Sequence, residues 1–220
     1  MSASVPVRSL PARKLAVSPI TCADEYFTSL TQVLQQVPRA AIEEVAAVLL
    51  QAYEDGRTVF LFGNGGSASL ASHFACDLGK GTAPKDGRRK RFRVVALTDN
   101  VPTLTAYAND NSYDDIFAEP LLNQIAPGDV VLAISCSGNS TNVLKALKVA
   151  RQENAFLIGL TGFAGGRMKA LCDVCLVVPS GNMQLIEDVH LSIAHCIFSI
   201  AHHQISRGAL LSVKASNSND

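Results

Sequence analysis

Five short apolar runs, TVFLF (58–62), FRVVALT (92–98), DVVLAIS (129–135), FLIGLT (156–161) and VCLVVP (174–179), constrain the fold of this chain more than any other feature. They are apolar at nearly every position rather than at every second one. Each must therefore be covered on both faces, as parallel strands between two helix layers are. Each run is followed by small or turn-forming residues, and most then by a helical pattern. This alternation predicts an α/β fold, a doubly wound five-stranded parallel sheet sandwiched by helices. Ahead of the sheet, apolar residues recur at helical spacing from Cys22 to about Gly56 with a break near Pro38, which predicts two N-terminal helices in series. After it, the stretch from Met183 to about Arg207 is apolar around most of its circumference. That predicts a long C-terminal helix, buried partly against a second subunit.

With 220 residues, 48% of them hydrophobic, the chain can bury one sizeable core. Residues 21–207 read as a single domain, flanked by a Pro-, Ser- and Arg-rich flexible arm (1–20) and a flexible polar tail (208–220). The 19 basic and 19 acidic side chains cancel, so no net field draws the protein to nucleic acid or to a membrane surface. The basic run DGRRKRFR (86–93) reads as a solvated loop. No stretch reaches the ~18 apolar residues of a membrane span, and the start lacks a signal-peptide core. The six cysteines lie mostly within apolar runs, as reduced thiols do, and a cytoplasmic protein is expected. Cys172 and Cys175 open a predicted strand, where neighbours alternate faces, and are read as structural rather than redox or zinc-binding.

Two loops can hold an anion. Gly63-Asn64-Gly65-Gly66-Ser67 follows the first strand and opens a helix; Ser135-Cys136-Ser137-Gly138-Asn139-Ser140 follows the third and opens another. Such loops turn backbone N–H groups and the positive end of a helix toward one point, and Ser67, Ser135, Ser137 and Ser140 add hydroxyls. Loops at the same edge of a parallel sheet can share one crevice. The alternative is that each is a tight turn with helix-capping serines. Neither loop has the spacing of a dinucleotide or P-loop motif, which favours a small phosphate ester over a nucleotide.

The titratable residues cluster in two places. His73 and Asp77 stand four apart on one helix, and Glu187 precedes His190 by three and His195 by eight on another. If the two helices converge, they supply either a general acid/base pair or an N₂O₂ site suited to Zn²⁺. His202 and His203 are read as a solvated helix terminus.

GNGGSASLASHFACDL, ALTDN, SCSGNSTNVLKAL, LTGFAGGRMKALCDVCLVVP and EDVHLSIAH, taken in this order, resemble the SIS-domain phosphoheptose isomerases from about Thr21 to Ala201. The resemblance implies a sugar-phosphate aldose–ketose isomerase acting on sedoheptulose 7-phosphate through an enediol. By it, Asn64, Gly65, Gly66, Ser67, Asp99, Ser135, Ser137, Ser140 and Glu187 contact substrate, and Asp77 and His195 are catalytic. It also implies a homotetramer with active sites at subunit interfaces, and one Zn²⁺ per subunit on His73, Asp77, Glu187 and His195. Two positions depart from the family pattern, which typically has Glu at Asp77 and Gln at Glu187. The shorter arm of Asp77 withdraws its carboxylate by roughly 1.5 Å, a displacement that can cost about 10²-fold in rate. Two other readings fit the motifs: a non-catalytic SIS module that relays sugar-phosphate binding to a protein partner, and an isomerase of a different sugar phosphate.

Overall fold

The computed structural model describes residues 19–84 and 90–217, with side chains through Arg207. The arm expected up to residue 20 lies almost wholly outside the described residues, as do 86–89 of the basic run. The apolar runs form five strands: β1 (Thr58–Gly63), β2 (Arg93–Ala96), β3 (Val130–Ser135), β4 (Phe156–Thr161) and β5 (Val174–Val177). All pair in parallel, in the order β2-β1-β3-β4-β5. β2 and β5 are shorter than the runs that predicted them. Helices follow at α1 (Ala23–Gln35), α2 (Arg39–Asp55), α3 (Gly66–Cys76), α4 (Val101–Asp110), α5 (Ala118–Leu122), α6 (Thr141–Gln152) and α7 (Met183–Asn217).

The strands divide their side chains between two layers, as the continuous runs require. Val59, Leu61, Val130, Leu132, Ile134, Ile158 and Leu160 pack with α2, α3 and α7. Phe60, Phe62, Val131, Ala133 and Leu157 pack with α5 and α6. Each fully buried Leu, Ile or Phe contributes about 1.5–3 kcal/mol of transfer free energy, which is why a slip that broke either layer is not tolerated.

The strand order positions the site. The chain steps from β1 outward to β2, then returns to the other side of β1 for β3, so the loops after β1 and β3 part in opposite directions. Ligands of open α/β sheets bind at such a switch point, outside the carboxyl ends of the strands. Both serine loops stand there.

α7 continues to Asn217, past the boundary expected at 208; Gly208 is tolerated within it, since a single Gly costs only about 1 kcal/mol. The pair His202 and His203 consequently lies within the helix rather than at its terminus, and His202 Nδ1 contacts the Gly81 carbonyl at 3.0 Å. No helix among the described residues is long and apolar enough to cross a membrane.

Candidate active site

Asn64, Ser67, Ser135, Cys136, Ser137, Ser140, Met183 and Glu187, over Ile134, line one crevice of about 140 Å³. The first loop, the second loop and the start of α7 thus meet, and Glu187 is the one charged lining residue. Gly65 takes φ 56° as the N-cap of α3, and neither it nor Ser140, the N-cap of α6, caps its helix through a side chain. By contrast, Asn100 does cap α4. The Ser140 hydroxyl is therefore not used in capping α6, and the two positive helix ends face the crevice. Ser135 and Ser140 hydroxyls lie 3.3 Å apart, and Ser137 Oγ accepts the Asn139 N–H at 3.2 Å, which fixes the loop's hydroxyls in place.

α7 brings Glu187 to this crevice because Asn182 caps it, its Oδ1 accepting from the N–H groups of Gln184 and Leu185 at 3.0 and 3.2 Å. One turn further on, His190 is buried and its Nε2 stands 3.0 Å from the Thr161 carbonyl at the end of β4. Burial pushes that imidazole down to about 4, so near neutrality it is uncharged and donates to the carbonyl. On the outer side, the Tyr26 hydroxyl donates to Asp188 at 2.6 Å and is pushed up to about 12 by that bond, tying α1 to α7. Glu187 itself closes on Gly66: a Cβ there would lie 2.7 Å from Oε1, so only glycine leaves room for the carboxylate at the N-terminus of α3. The Cys136 thiol stands 4.0 Å from the same oxygen and is pushed up, first by burial and then by the charge of Glu187.

A second group lies further along α3 and α7. His73 Nε2 is 3.4 Å from Asp77 Oδ2, His195 Nε2 is 3.8 Å from that oxygen, and the two Nε2 atoms are 3.2 Å apart. Three donor atoms within 4.8 Å of one another form a group able to hold a metal ion. An ion bound tetrahedrally at about 2.0–2.1 Å separates its ligand atoms by about 3.4 Å, close to all three edges. The imidazoles are about half exposed, at 49% and 48% of side-chain area. The α-helix gives way at Asp77 to a π-helical turn, Asp77–Gly81, a widening often found at functional sites. α7 rests on that turn: a Cβ on Gly81 would lie 2.6 Å from the Phe198 ring.

The sequence reading placed Glu187 in this metal group, and within the single chain it does not join His73, Asp77 and His195. Glu187 and His195 do share a helix face, but eight residues at 1.5 Å each put them about 12 Å apart along the axis, too far for one ion. Asp99 was expected to contact substrate. It accepts the Ser72 hydroxyl, which stands 3.1 Å from Thr98 Oγ1, and is not among the crevice's lining residues. Asn64 lines the crevice but its amide is paired reciprocally with Asn142, both contacts at 2.9 Å, and accepts from the Tyr113 hydroxyl at 3.1 Å. Asn142, Tyr113, Cys136 and Met183 were not picked out from the sequence. An Asn two residues after Ser140, at the start of the helical pattern, was the available signal for the first of them.

Residues 25–162 match the family described as SIS domain. The chain is 40% identical to the phosphoheptose isomerase of Aliarcobacter butzleri over 165 residues, covering 75% of this chain and 86% of that protein. It is 42% identical to the phosphoheptose isomerase of Rhodospirillum rubrum over 161 residues, covering 71% and 82%. Among solved structures, a phosphoheptose isomerase from Francisella tularensis superposes with a TM-score of 0.75 at 32% identity, covering 82% of this chain and 96% of that one.

Proposed function

The chain belongs to the phosphoheptose isomerases of the SIS domain family, and from that membership we propose that it converts sedoheptulose 7-phosphate to glycero-manno-heptose 7-phosphate through an enediol. One observation carries the reading: four serine hydroxyls and two uncapped helix N-termini around a crevice with a single carboxylate and no basic lining residue. Such a lining suits a phosphate held by hydrogen bonds and dipoles, with a sugar chain leading out of it.

His73, Asp77 and His195 would hold Zn²⁺, which supplies positive charge beside the developing enediolate. Asp77 Oδ2 faces both imidazoles, and Oδ1 is the oxygen assigned to the carbon-bound proton. It takes a proton from C1 of the open-chain ketose and returns one to C2. His195 passes a proton to the C2 oxygen and removes the one on the C1 oxygen, so the ketose becomes an aldose with no net change in atoms or electrons.

Glu187 enters from a second chain. In a homotetramer working in the cytoplasm, the serine crevice of one subunit faces the His/Asp triad of its neighbour. Glu187 of the crevice-bearing subunit then completes the neighbour's metal site, which it cannot reach within its own chain. The half-exposed imidazoles and the exposed Leu191 on α7 support a face covered by another copy.

The test is to incubate metal-analysed protein with a panel of ketose phosphates in D₂O and follow aldose formation and C1/C2 exchange by NMR. Conversion of the seven-carbon ester is expected, falling at least ~10²-fold in Asp77→Ala and His195→Ala. Parent-rate turnover by either variant, or phosphate-ester binding with no exchange, would reject the assignment.

A further inference from the structure

The structure brings together two side chains that the isomerase chemistry does not use. Cys172 sits in the turn before β5, and Cys175 is the second residue of β5, in register with Gly159 on β4. A Cβ on Gly159 would lie 2.9 Å from Cys172 Sγ and 3.1 Å from Cys175 Sγ, so both sulfurs stand over one glycine. The alternation of strand faces does not separate them, because Cys172 precedes the strand and its turn folds back. That turn is held on both sides of the thiol. Arg151 donates to the Leu171 carbonyl at 3.0 Å and to Asp173 at 2.8 Å, while Asp173 accepts the Leu157 N–H at 2.8 Å. β5 is an edge strand, and both cysteines are reduced and only partly buried. The pair lies toward the amino end of the sheet, away from the serine crevice at the carboxyl ends.

We propose that Cys172 and Cys175 form a redox-active dithiol that closes to an internal disulfide on meeting a small-molecule disulfide. The two thiols are not equivalent. Cys175 is pushed down to about 7 by its neighbour Cys172, with the Thr161 hydroxyl 3.8 Å from its sulfur, while Cys172 is pushed up by Cys175 and by burial. Cys175 is accordingly the attacking thiolate and Cys172 the resolving thiol. The Cys175 thiolate attacks one sulfur of the small disulfide, forming a mixed disulfide and releasing one small thiolate. Cys172 gives up its proton to that thiolate, its sulfur attacks Cys175, and the second small thiolate leaves and takes a proton from solvent. The protein's dithiol loses two protons and two electrons; the small disulfide gains them as two thiols.

The test uses the reduced full-length protein incubated with glutathione disulfide, trapped with an alkylating agent and mapped by peptide mass spectrometry. Expected is one peptide with Cys172 and Cys175 joined, lighter by two hydrogen atoms and restored by dithiothreitol. In Cys172→Ser, Cys175 instead retains glutathione. Cys172 and Cys175 remaining free while the exposed Cys22, Cys76 and Cys196 are modified would overturn the proposal, as would separate glutathione adducts on both cysteines of the wild type. The wild-type measurement decides the matter even if the variant fails to fold.

Discussion

His190 and Glu187 are three residues apart on α7 and illustrate how differently one helix can treat two ionisable groups. His190 is 1% exposed and bonded to a carbonyl, so its uncharged form is favoured; Glu187 faces the crevice, where the positive end of α3 offsets its charge. The first has a consequence for stability. The folded state holds His190 near 4 against about 6.5 when unfolded, so between those values the unfolded chain binds the extra proton. Its contribution is therefore present above pH 6.5 and is lost as pH falls toward 4, by about 3 kcal/mol when complete. Urea unfolding across this window should show the wild type losing stability more steeply than His190→Gln, which keeps a donor for Thr161 but does not titrate. Parallel curves for the two proteins would show that the imidazole gains its proton without opposing burial.

At the level of elements, the sheet was legible because a run apolar at every position must be covered on both faces, and the serine loops because each directly follows a strand. The meeting of His73 and Asp77 was legible from their spacing of four. What the residues did not reveal is longitudinal distance: helical angle places Glu187 and His195 on one face, and only the rise per residue separates them. Nor does composition announce the π-helical turn at Asp77–Gly81, which depends on how α7 packs against it. The reach of α7 to Asn217 was hidden by a polar ending that resembles a tail. The turn and α7 are coupled at Gly81, whose missing side chain leaves room for Phe198, one turn beyond His195. Gly81→Ala should push the ring, and with it α7, away from α3, lowering the affinity of the proposed metal site about tenfold while the far-ultraviolet circular dichroism is kept. Unchanged affinity by metal-competition titration would mean that His195 is positioned independently of this contact.

For the whole molecule, the crevice and the triad lie about two helical turns apart along α7, and on the proposed mechanism neither is a complete isomerase centre by itself. In the assembly we propose, the crevice of one subunit is set against the triad of another, with Glu187 accompanying the crevice. The departures at Asp77 and Glu187 then fall on opposite sides of one interface, and each is to be judged against the neighbouring chain. Complementation tests this most directly. Two variants, Asp77→Ala and the double variant Ser67→Ala/Ser137→Ala, each expected to be nearly inactive toward sedoheptulose 7-phosphate, are unfolded together, refolded as a mixture and assayed beside each variant refolded alone. The account predicts that the mixture regains a substantial fraction of wild-type activity, because some interfaces pair an intact crevice with an intact triad. A mixture that forms mixed oligomers yet stays as inactive as its parents would contradict it.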